Sequence, residues 1–296
     1  MKKLFWGVLT VILLAISLFY GYRLWQNNRL TTVMDLEERR AVLENGIRWL
    51  EDNRQLILDQ ANPMLWYMLQ NAAAINGDKR LKALFSSYEE RYLKNNYDNL
   101  WRTLFYPDTW VSVRYEDIRD YPYYNLHFLY GLTCDAELAQ VAGIAAQNDP
   151  AFCNKHPLRP ACVTHQLMGI RLLQRSKCGD QQELDETEKT LERRIFRQLT
   201  WDPRQVDVYI QRVLMLAQSA HPDVIKPIWI RRVAAAQQPD GGWGPFDPLV
   251  PIGGGRYLGF SGKGLSPGKP KSTFHATAQG VLLFSILVNR AAATDS

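Results

Sequence analysis

From Leu4 to Tyr22 the chain carries no charged side chain, and this run constrains the molecule more than any motif in it. It is about long enough to cross a bilayer as a helix. Lys2, Lys3 and the amino terminus before it favour the cytoplasmic side. Arg23 and Arg29 on the far flank pull the other way. Trp6, Tyr20, Tyr22 and Trp25 fit an interfacial aromatic belt. A cleaved signal peptide competes with an anchor, but no small-x-small cleavage site follows Tyr20. The expected organisation is a transmembrane anchor over 1-27, touching the membrane through residues 4-22, and an extracytoplasmic domain over 28-296. A single-pass protein of the inner (plasma) membrane, N-terminus inside, follows from that reading.

The remainder reads as helical. Leu36, Val42, Leu43, Ile47 and Leu50 recur at helical spacing between Leu30 and Gln60, with Asn45-Gly46 as an expected break. Pro63 opens a nearly all-apolar helix that stops at Asn76-Gly77, and Asp78 caps an amphipathic one. That alternation is what an inner and an outer ring of helices produce. No strand-like alternation is found anywhere. The net charge of +5 is mild, and basic and acidic residues alternate along the helices, as in Glu37-Glu38-Arg39-Arg40. No basic stretch interleaves with aromatics, so a nucleic-acid partner is not expected. The aromatic stretch Tyr121-Pro122-Tyr123-Tyr124 suits either a cleft wall or a cap over one end of the domain.

Cys134, Cys153, Cys162 and Cys178 cluster in one region. An even count in a translocated domain suggests disulfides. Cys153 and Cys162 flank one loop, which leaves Cys134 with Cys178. A zinc site competes, although no CxxC spacing is present.

Between Val233 and Leu287 an apolar helix ends at Gln237, a turn Gln238-Pro239-Asp240-Gly241-Gly242-Trp243-Gly244 follows, and a Gly/Pro-rich loop runs from Pro245 to Lys271. Pro239 cannot extend the helix, the glycines take positive φ, and Gln237 is placed to bond the turn's backbone. The loop carries Arg256, Tyr257, Phe260, Lys263 and Lys269, and is long enough to serve as a lid. The spacing Gln237-x-x-x-Gly241-x-Trp243 resembles the QW repeat of the terpenoid cyclase and protein prenyltransferase superfamily. The resemblance implies an α/α toroid, in which this repeat joins an outer helix to the next inner one. In the prenyltransferase branch an Asp, a Cys and a His at inner-helix starts bind catalytic zinc. His275 matches the family's His and Asp207 is a looser match, which makes His275 the one candidate metal ligand. Val208 and Tyr209 stand where the Cys is needed, so zinc thiolate activation is not expected. The cyclase DxDD motif is absent.

Inner helices that run parallel bring their N-terminal ends to one mouth, where free N–H groups favour anions. Asp135, His165, Asp207 and His275 each stand near such a start. His275, His165 and Asp207 are the candidate catalytic residues, with a His–Asp pair suited to general acid/base work. Asp135, Tyr209, Trp243 and Arg256 are candidate ligand-binding residues. The expected class is an all-α, membrane-anchored toroid whose mouth binds a lipid-linked or carbohydrate molecule. The alternatives are a non-catalytic scaffold with an envelope protein partner and, less favoured, a prenyl or terpenoid enzyme.

Overall fold

The computed structural model describes residues 2–109, 111–156, 159–219, 221–262 and 264–294. Lys263 lies outside the described residues. Helices make up 66% of the chain, so the helical expectation holds in its coarse form. The long ones are α1 (Lys2–Asn28), α2 (Leu36–Asp52), α3 (Pro63–Asn76), α4 (Lys79–Tyr92), α5 (Tyr123–Thr133), α6 (Cys162–Arg175), α7 (Gln181–Trp201), α8 (Asp207–Ala217), α9 (Pro227–Ala235) and α10 (Phe274–Thr294). Local chemistry sets their ends. Asp35 and Glu38 form a capping box on α2. Pro63 fills the first turn of α3 and Gly77 ends it in the left-handed region.

Strictly all-α is corrected by a three-stranded antiparallel sheet: β1 (Asp247–Gly253), β2 (Arg256–Ser261) and β3 (Gly264–Gly268). The sequence hides it because no row of large side chains marks its inner face. Phe246 lies flat on the backbone instead. A Cβ on Gly259 or Gly268 would stand 2.6 or 2.8 Å from its ring. Prolines at 248, 251 and 267 further mask the strands.

The apolar helices pack as a string, α5 on α6, α6 on α8, α8 on α10 and α10 on α3. The amphipathic α2, α4 and α7 lie outside them. Arg175 of α6 donates to the hydroxyl of Tyr67 on α3 at 2.9 Å and to the carbonyls of Thr103 and Leu104. Between α3, α6, α8 and α10 lies a half-open cavity of about 270 Å³, lined by Met64, Met68, Met168, Met215 and Leu282 and by the polar Asn71, Arg171, Arg175 and Gln218.

The last turns of α1 belong to the domain, not to a linker. Asn27 is fully buried. Its amide donates to the carbonyl of Leu199 at 2.5 Å, its side-chain oxygen accepts from the hydroxyl of Tyr209 at 2.8 Å, and its carbonyl accepts from the Trp229 indole at 3.0 Å. Arg23 turns inward to pair with Asp247, which accounts for a charge at the end of an apolar helix. The boundary expected at 27/28 therefore falls inside a packed polar core. From Phe5 to Asn28 the helix is long and apolar enough to cross a membrane.

Trp243 ties the other end of the chain together. Its indole donates to the carbonyl of Val233 at 2.8 Å, and Gln237 donates to the carbonyls of Gly241 and Val42. The ring is held between two glycines. A Cβ on Gly46 of α2 would come within 2.8 Å of it, and one on Gly280 of α10 within 2.7 Å. The break expected at Asn45-Gly46 does not occur, because α2 continues through it and uses the missing side chain as a seat for the indole. Both expected disulfides are present, Cys134–Cys178 and Cys153–Cys162, of the kind that oxidising compartments preserve.

Two stability predictions follow from these contacts. Trp243→Ala lowers unfolding free energy by about 3–5 kcal/mol, and Gly280→Ala lowers it by about 1–3 kcal/mol through overpacking; urea titration measures both. Opening Cys134–Cys178, which spans 44 residues, costs about 4 kcal/mol, against about 2.5 kcal/mol for Cys153–Cys162, which spans 9. Paired Cys→Ala variants in the same assay check that order.

Candidate functional site

Three helices start at the same end of the domain. His165 lies in the first turn of α6, Asp207 is the first residue of α8, and His275 is the second residue of α10. The fold brings these three sequence candidates together. His275 Nδ1 stands 3.3 Å from Asp207 Oδ2. Asp207 Oδ1 accepts from the backbone N–H of Val208 at 2.8 Å, so the carboxylate occupies the electropositive end of α8. His165 stacks on Tyr124, with ring centroids 4.2 Å apart and planes within 12°. A cavity of about 240 Å³ opens beside them, bounded also by Arg204, Gln211 and Ser261.

The electrostatics separate the three groups. Burial pushes the His165 imidazole down to about 4, and the neighbouring His275 adds to the effect, so His165 is neutral at pH 7. Burial alone would raise Asp207, but hydrogen bonds from His275 and the backbone hold it below the usual carboxylate range. Asp207 is thus an anion. His275 turns Nδ1 to Asp207, which leaves Nε2 on the far side of the ring. Its neighbour is the amide nitrogen of Gln279 at 3.4 Å, too distant for a strong bond.

The other candidates go elsewhere. Asp135 follows the C-terminal end of α5 and caps the short helix Ala136–Gln140, away from the cavity. Tyr209 points into the Asn27 core. Trp243 is wholly enclosed by its glycine seat. Arg256 is exposed at the start of β2, beside the turn Gly253-Gly254-Gly255. Sequence reasoning missed Tyr124, Arg204, Gln211 and Ser261 as site residues. Tyr124 had a signal in the aromatic stretch that opens α5. Ser261 and Gly262 belong to the segment expected to form a lid, and they do border the cavity.

Among the described residues no three His, Cys, Asp or Glu side chains are grouped to hold a metal ion. All four cysteines are paired, which corrects the competing reading of a cysteine zinc site. Compared with known proteins, the chain matches no family model, no curated protein and no solved structure.

A second histidine shares the fate of His165. His127 of α5 is fully buried, with Nε2 2.9 Å from Asn148 Oδ1, and burial pushes it down to about 4. The unfolded chain takes up these protons near pH 6.5, whereas the native chain resists them until about pH 4. Protons therefore favour the unfolded state in that window. Unfolding free energy falls between about pH 6.5 and pH 4, on the order of 2–3 kcal/mol for each buried histidine. Urea titrations across this range check it, and His127→Asn flattens the fall.

Proposed function

We propose that the chain is a membrane-anchored, extracytoplasmic α/α-toroid domain whose cleft binds a lipid-linked or carbohydrate molecule and acts on it by acid–base chemistry. The observation that carries this reading is the Asp207–His275 pair at a cavity, with neutral His165 beside it. Asp207 fixes the tautomer and orientation of His275. His275 Nε2 accepts a proton from a hydroxyl or water in the cavity and returns it to the departing oxygen. His165, uncharged and held on Tyr124, presents an imidazole that hydrogen-bonds hydroxyls without attracting a counter-ion.

The toroid is supported by the string of apolar helices, the outer amphipathic helices, and the Gln237–Trp243 turn between α9 and α10. Anchoring and orientation are supported by the apolar α1, the lysines at its start and the two disulfides in the domain after it. A scaffold in an envelope assembly draws on one different feature, an apolar groove of about 550 Å³ at Phe196, Leu216 and Val224.

The test uses the full chain in detergent with a panel of free oligosaccharides and polyprenyl-phosphate-linked saccharides, with products read by mass spectrometry. Turnover of one member is expected, falling about 10²- to 10⁴-fold in Asp207→Asn and His275→Ala, with folding retained by circular dichroism. Undiminished turnover in both variants, or no binding of any panel member, sinks the reading.

A further inference from the structure

A larger cavity, of about 610 Å³, lies at the foot of α1 and shares Pro160 and Arg204 with the acid–base cleft. Its polar lining is dominated by arginine: Arg23, Arg159, Arg204 and Arg212, against the carboxylate of Asp202. Asp202 is shared by Arg204 at 2.6 Å and Arg212 at 2.9 Å, and Arg23 is paired with Asp247 behind it. Arg159 lies over the Tyr123 ring at 5.0 Å, with no carboxylate in salt-bridge range among the described residues. Four guanidinium groups thus face two carboxylates, leaving an excess of two positive charges. Arg212 is 2% exposed, yet its Nε has no hydrogen-bond partner, and neither has the Nε of Arg23. What calls for an anionic acceptor is the unbalanced guanidinium charge at the cavity.

The apolar part of the lining says where that acceptor comes from. Phe19 and Tyr20 belong to the apolar run of α1, and Phe260 of β2 and Trp201 stand with them. Trp201 is 64% exposed, and its carbonyl accepts from the Tyr20 hydroxyl at 2.5 Å. A tryptophan and a tyrosine exposed at the end of such a helix occupy the headgroup level of a bilayer. We propose that this cavity is a binding site for the phosphomonoester headgroup of an anionic membrane lipid. The fork of Arg159 grips its oxygens, Arg204, whose own fork is held on Asp202, adds positive charge beside it, and the chains leave past Phe19 and Phe260 into the bilayer. The inference rests on the membrane placement of α1 given above, and it does not depend on proton transfer at Asp207 and His275.

The experiment titrates the full chain in neutral detergent with phosphatidic acid, phosphatidylcholine and inorganic phosphate, read by native mass spectrometry and by Trp201 fluorescence against a Trp201→Phe control. Phosphatidic acid is expected to bind at least about tenfold more tightly than the other two, and inorganic phosphate to compete for the site only weakly. Arg159→Gln weakens phosphatidic acid binding about tenfold at an unchanged unfolding midpoint, and Arg159→Lys recovers part of it. Asp207→Asn leaves the binding intact, which separates this site from the acid–base reading. Equal binding of phosphatidic acid and phosphatidylcholine, or an Arg159→Gln variant that binds as the parent does, overturns the proposal. Inorganic phosphate binding as tightly as phosphatidic acid overturns the lipid as the source.

Discussion

The arrangement of the domain depends on one close approach, the indole of Trp243 lying between the backbones of α2 and α10. Gly46 and Gly280 permit it by having no side chain, and the Val233 carbonyl fixes the ring by accepting its N–H. Thr277 then accepts from the Trp243 backbone N–H at 3.0 Å, and the Trp243 carbonyl accepts from Thr273 at 2.8 Å. These bonds set where α10 begins. The height of His275 against Asp207 is therefore set by a tryptophan that never touches the cavity. Asp240 extends the same control by accepting from the Trp49 indole, from Ser272 and from the Gly242 backbone.

The second constraint acts from the end of α1. Asn27 satisfies its polar groups with α7, α8 and α9 at once, so α1 enters the domain as a structural member. Arg23 then lies beside Asp247 and Pro203, and the sheet is held next to the emerging helix. The two cavities share a wall because α1, the sheet and the start of α8 meet at this corner.

Much of this was legible in the sequence. The apolar run, the helix caps and the Gln237–Trp243 turn each depend on short-range chemistry that spacing reveals. His165, Asp207 and His275 were legible for a related reason: each stands at a helix start, and helix starts could be located. The sheet was not, because its packed face is glycine backbone under Phe246, which leaves no alternation to read. That Tyr209 and Trp243 lie buried away from the cavity was not legible either, since an aromatic side chain carries no mark of what it will be buried against. Asn27 gave no signal at all. A single asparagine after an apolar run looks like the first residue of a linker, and its three partners lie more than 170 positions away.

The continuity of α1 with the domain has a geometric consequence. A flexible tether would let the cavities sweep a hemisphere above the bilayer and sample dissolved molecules. With Asn27 locked, a membrane-spanning α1 would hold the openings at one height and one tilt. Under the proposed lipid-binding reading, the search for a ligand would then be two-dimensional, governed by lateral diffusion and surface density rather than by bulk concentration.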